Sequence, residues 1–80
     1  MEILPSASKH GVTEEDIRHA IAHSLTVDEV GDDPMRILIL GPDLAGNVLE
    51  PIVLDRKIGP AVIHAMPMRA VYRKLLEGGR

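Results

Sequence analysis

Three turn clusters break up the middle of this 80-residue chain and limit what it can fold into. They are Gly31-Asp32-Asp33-Pro34, the run from Gly41 to Asn47, and the run from Asp55 to Gly59. Beside them lie three short apolar runs: Arg36-Ile37-Leu38-Ile39-Leu40, Val48-Leu49-Glu50-Pro51-Ile52-Val53-Leu54 and Ala61-Val62-Ile63-His64-Ala65-Met66. The Gly, Pro, Asp and Asn of the clusters supply free φ, fixed φ and local side-chain turns. β-favouring runs this short, bounded by such signals, read as strands. Strands joined by short loops must lie antiparallel, because a parallel pair needs a crossover of roughly a dozen residues or more. The centre therefore predicts an antiparallel meander of three strands, with Thr26–Val30 a candidate fourth. Pro51 has no amide hydrogen and predicts a bulge or an unpaired side within its run.

Helical patterns flank this centre. Thr13 followed by Asp16 is a near capping box, strengthened by Glu14 and Glu15 at the positive end of a helix. Ile17, Ala20, Ile21 and Ser24 then fall on one face, so a helix is expected over 14–24. Near the other terminus Pro67 suits the first helical position, and Met68, Val71, Tyr72 and Leu75 repeat at helical spacing. A short helix ending before Gly78-Gly79 is the expectation there. Ile3-Leu4-Pro5 reads as a short edge strand ended by its proline. The whole is an α+β fold: a sheet of three to four strands, an N-terminal helix and a short C-terminal helix, in a single domain over 1–80. Ile37 and Ile39 alternate with Leu38 and Leu40, so both sheet faces are apolar and two short helices leave some of that surface over. Such a surplus points to a protein contact. The alternative is that the second helix folds over one face and a loop over the other.

Composition closes off several functions. No Cys is present, which excludes disulfides and thiolate metal sites, and Tyr72 is the sole aromatic, which excludes a stacking platform for single strands. No apolar run approaches the roughly 18 residues of a membrane span. No secretory signal is seen, so a cytoplasmic location and no membrane contact are expected. The net charge of −3 is unevenly spread. Residues 1–40 carry Lys9, Arg18 and Arg36 against eight acids, whereas 41–80 carry six bases against four acids, so an anion would bind in the second half.

The candidates for chemistry cluster in that half. A helix begun at Pro67 puts Arg69 and Arg73 four residues apart, with Arg69 opposing the helix dipole, and a bound phosphate would relieve both penalties. The alternative is a solvated basic face with Glu77 paired to Arg73. His64 suits proton transfer near neutrality, or serves as a half-buried strand residue. Tyr72 reads as a core side chain with its hydroxyl at the edge. In the first half, Lys9 and His10 precede Gly11 at a helix entry. His19 and His23 are four apart, but residue 20 is Ala where the zincin pattern has Glu, so no metal is expected.

Lys9-His10-Gly11-Val12-Thr13, followed by an acid-rich helix start, resembles the opening motif of BrnT-like toxins of bacterial type II toxin–antitoxin pairs, members of the RelE superfamily. The strand Arg36–Leu40, the turn from Gly41 to Asn47 and the next strand are similar to their central hairpin. Val62-Ile63-His64-Ala65-Met66-Pro67-Met68-Arg69 with Tyr72 resembles their closing motif in a Met-Pro variant. The likeness spans about residues 9–76 and implies a RelE-like fold. It implies a metal-independent endoribonuclease without cofactor, silenced by a cognate antitoxin. On that likeness His64, Arg69, Tyr72 and His10 would act in catalysis and Lys9 and Arg69 would hold RNA phosphates, with Arg73 and Lys74 of the basic second half as further phosphate-binding candidates. Two other classes remain open: an inactive relative serving as an interaction module or homodimer through its apolar sheet face, and a small-anion binder at the Pro67 helix start.

Overall fold

The computed structural model describes residues 1–32 and 34–77. The strands are β1 (Glu2–Ile3), β2 (Thr26–Gly31), β3 (Arg36–Pro42), β4 (Val48–Leu49), β5 (Ile52–Leu54) and β6 (Ala61–His64). The helices are α1 (Glu14–Ala22) and α2 (Arg73–Leu76), with single 3-10 turns at Pro5–Ser8 and Ala70–Tyr72. Strands and helices occupy separate stretches, as an α+β chain requires. The sheet runs β1-β6-β5-β3-β2, with β4 on the far half of β3.

The sheet is mixed. β2–β3, β3–β5 and β5–β6 are antiparallel, as short loops dictate, but β1 lies parallel to β6 through Glu2↔Ala61 and Ile3↔Val62. That pairing is open to β1 because most of the chain intervenes before β6, which is crossover enough. The expected strand over 48–54 is two pieces. Glu50 and Pro51 fall between β4 and β5, and the Pro51 carbonyl still accepts from the Ile39 amide (2.9 Å). Pairing also shifts between Ile52↔His64 and Val53↔Val62, so Ile63 is an extra residue in β6.

Thr13 caps α1 as its position predicts: its hydroxyl accepts from the Asp16 amide (3.2 Å) and donates to the Asp16 carboxylate (3.1 Å). The helix stops at Ala22, with His23 as its cap, two residues short of the expected end. Ile17 and Ala20 are fully buried, Ile17 in one cluster with Ile39, Val53 and Val62. Polar bonds fix where α1 crosses the sheet. Asp16 accepts from the Leu44 amide (3.0 Å), and His19 Nδ1 lies 2.8 Å from the Pro42 carbonyl. Gly41 permits the closest approach, since a Cβ there would sit 2.0 Å from the Ala20 carbonyl oxygen.

The C-terminal segment departs most from expectation. Pro67 does not start a helix. It bridges Leu49, the Met68 amide donates to the Val48 carbonyl (2.9 Å), and the Glu50 amide donates to the Met66 carbonyl (2.8 Å). Residues 66–68 therefore run as an antiparallel neighbour of β4, and helical geometry begins only at Ala70. Arg69 is extended (φ −80°, ψ 153°), so it does not oppose a helix dipole or share a helix face with Arg73. Val71 is 73% exposed rather than packed. The expected stop at Gly78-Gly79 lies outside the described residues, as does Asp33.

The expected surplus of apolar sheet surface is also relocated. Leu38, Leu40 and Ile39, on both faces of the central β3, are all buried. Exposed apolar side chains collect instead at Leu25, Val27 and Val30, on and beside β2, a sheet edge whose one strand neighbour among the described residues is β3. A homodimer through a broad apolar sheet face has no such face at β3 to use.

Gly41→Ala tests the docking of α1. Overpacking against backbone leaves no side chain to yield, so stability should fall by about 1–3 kcal/mol or more. The expected readout is a lower urea midpoint at unchanged slope. An unchanged midpoint would mean that α1 does not sit on Gly41 as described.

Candidate functional site

Glu50 is the sole charged residue buried completely among the described residues, at 0% exposure. A carboxylate removed from water needs partners on nearly every lone pair. Arg69 provides most of them. Its backbone amide donates to Oε2 (2.9 Å), Nε donates to both oxygens (3.1 and 3.2 Å), and Nη2 donates to Oε1 (2.8 Å). His64 Nε2 lies 3.0 Å from Oε1. The gap between β4 and β5, the end of β6 and the extended residue before Ala70 thus meet on one carboxylate.

Two more side chains join this centre. The Tyr72 ring lies under the Arg69 guanidinium, 5.6 Å from centroid to Cζ, within cation–π range. The His10 ring stands edge-on to His64, with centroids 5.5 Å apart and planes at 73°. Gly11, at φ 79°, makes the turn that carries His10 from the Pro5–Ser8 turn toward α1. The Ser6 hydroxyl, which donates to the Ile63 carbonyl (2.7 Å), ties that turn to β6.

His10 and, more than fifty residues later, His64, Arg69 and Tyr72 are therefore neighbours. Lys9 precedes His10 and is exposed. Arg73 and Lys74 are exposed in α2 and have no hydrogen bond to the cluster among the described residues, nor does Arg73 pair with Glu77. The helix-start anion site expected at Pro67 does not form, because Pro67 lies in sheet pairing and α2 is a single turn. His19 and His23 stack at 4.1 Å with planes at 23°, and each Nδ1 faces a backbone carbonyl. No group of three or more His, Cys, Asp or Glu gathers to hold a metal among the described residues. An apolar cavity of about 160 Å³ between α1, β1 and β6 contains none of the cluster.

Glu50 is the residue that sequence reasoning missed. The signal was available: one acid inside Val48-Leu49-Glu50-Pro51-Ile52-Val53-Leu54 is an acid with nowhere apolar to go, and acids are almost never fully buried unless paired. Its electrostatics follow from its partners. Burial alone pushes the carboxyl up, but the Arg69 side-chain and backbone hydrogen bonds, the His64 hydrogen bond and the Arg69 charge together hold it below the ordinary value. Arg69 grips its proton more tightly in return, through the hydrogen bond to Glu50 first and its charge second. Chemically, the cluster offers two imidazoles for proton transfer and a half-exposed guanidinium for an anion.

The pH dependence has a definite sign. A carboxyl whose folded pKa is depressed stabilises the fold fully above its unfolded pKa, about 4.3, and loses that contribution as pH falls through the lower folded value. Urea midpoints taken from pH 7 down to acid should therefore decline more steeply in the wild type than in Glu50→Gln. Equal declines would contradict the charged state assigned to Glu50.

Neither a family model, nor a curated protein, nor a solved structure matches this chain. No helix among the described residues is long and apolar enough to cross a membrane.

Proposed function

We propose that this protein is a small endoribonuclease acting through imidazole and guanidinium groups, the toxin of a toxin–antitoxin pair, held silent by a cognate partner protein. What supports the reading is one observation: His10, His64, Arg69 and Tyr72, drawn from three separate stretches of chain, meet around Glu50. Two imidazoles within 5.5 Å provide one base and one acid for the same reaction. His64 takes the proton of a ribose 2′-hydroxyl, and that oxygen bonds to the adjacent phosphorus. The bond from phosphorus to the 5′-oxygen breaks, its electron pair stays on that oxygen, and protonated His10 supplies the proton. The products are a 2′,3′-cyclic phosphate and a free 5′-hydroxyl. Arg69 stabilises the charge that builds on the phosphoryl oxygens, since its Nη1 has no partner among the described residues.

The silencing partner needs surface to hold. The β2 edge, with Leu25, Val27 and Val30 exposed beside Asp28 and Glu29, is the apolar and acidic ground available to it. A second reading keeps the partner and drops the chemistry. It is favoured by the engagement of Arg69 Nε and Nη2 with Glu50, which leaves a single terminal nitrogen for substrate.

Incubation of purified protein with mixed RNA separates the two. Cleavage should leave cyclic-phosphate ends, persist in a chelator and spare DNA, which lacks the 2′-hydroxyl. His64→Ala and His10→Ala should each lower the rate by about 10²-fold or more. His10 is exposed, so its variant keeps the fold even where His64→Ala does not. A folded protein that cuts no RNA, or one that cuts undiminished in both variants, defeats the nuclease reading.

A further inference from the structure

We infer that Glu50 is a positioning residue that holds His64 in the tautomer with the proton on Nε2, leaving Nδ1 as the bare nitrogen that faces substrate. Arginine has donors and no acceptor, so the four contacts from Arg69 all use Glu50 as an acceptor. A carboxyl group crowded in this way is anionic, in keeping with its lowered pKa. An anionic oxygen can only accept, so the 3.0 Å contact to His64 requires a proton on Nε2. A neutral imidazole carries one such proton, which leaves Nδ1 with its lone pair. Among the described residues Nδ1 of His64 has no hydrogen-bond partner, and the side chain keeps 24% of its surface exposed. A buried carboxylate behind an imidazole fixes tautomer and ring orientation together, as in hydrolytic triads.

The molecule supplies its own controls. His19 Nδ1 faces the Pro42 carbonyl and His23 Nδ1 faces the His19 carbonyl. Carbonyls only accept, so these two histidines carry the proton on Nδ1, opposite to His64. The tautomer assignment stands on geometry alone; the part played toward substrate rests on the nuclease reading above.

Long-range proton–nitrogen NMR of the nitrogen-15-labelled full chain at about pH 9, where ordinary imidazoles are neutral, reads each tautomer directly. His64 should show a protonated Nε2, and His19 and His23 a protonated Nδ1. A protonated Nδ1 on His64 overturns the inference whatever the activity. In Glu50→Gln either orientation of the amide turns its NH2 toward Arg69 donors, which engage both oxygen positions, so the carboxylate's grip on the Nε2 proton is lost and His64 should no longer show a single Nε2–H tautomer. Turnover of RNA should then fall by about 10²-fold or more in kcat with KM changed by less than about threefold. Should Glu50→Gln keep both the wild-type tautomer and the wild-type kcat, the positioning role is refuted; should it not fold, the wild-type spectrum still decides. A protonated Nε2 in a protein that cuts no RNA sustains the tautomer and removes the nuclease instead.

Discussion

One buried carboxylate organises the most distinctive part of this molecule. Glu50 lies in the break between β4 and β5, and its partners come from the end of β6 and from the segment leading to the Ala70 turn. An ion pair with one partner buried adds little net stability compared with an apolar substitute, because desolvation offsets most of the attraction. What it does add is geometry. Without an acceptor at that point, Arg69 has no reason to be extended and His64 no reason to turn one particular nitrogen inward. The Arg69 guanidinium, half in water and stacked on Tyr72, lets the charge be neutralised without burying the cation as well.

The frame that carries this centre is set by a second close approach, that of α1 to β3. Residue 41 has no side chain, so the Ala20 carbonyl can rest on the strand, and Asp16 and His19 tie the helix to the turn beyond it. These contacts position the N-terminal arm as well. β1 inserts beside β6, the Ser6 hydroxyl bonds to Ile63, and His10 arrives next to His64. The parallel β1–β6 pair is thus the link between the opening segment of the chain and the cluster near its end.

Much of the fold was legible residue by residue. Thr13 and the acids after it marked the start of α1, and the apolar spacing marked the face it buries. The turn clusters located β2, β3, β5 and β6, and Pro51, expected to mark a bulge or an unpaired side in one strand, lies where that strand divides into β4 and β5. The segment after His64 misled for a physical reason. Pro67 and a helical apolar spacing are both compatible with a helix, but β4 presents unpaired backbone groups, and residues 66–68 satisfy them. Backbone hydrogen bonding to a distant strand overrode a weak local preference.

The sequence by itself determined the α+β class, the start of α1 and the places where strands must end, because capping, turn chemistry and alternation act within a few residues. It also drew attention to His10, His64 and Arg69 as candidates for chemistry, while Tyr72 read as a core side chain and joined them only through the resemblance. Only the tertiary structure decided that they meet, that β1 runs parallel to β6, and that Glu50 stands at their centre. Each of these depends on contacts across 14 or more residues, whereas capping, turn chemistry and alternation encode only what lies within a few residues of one another.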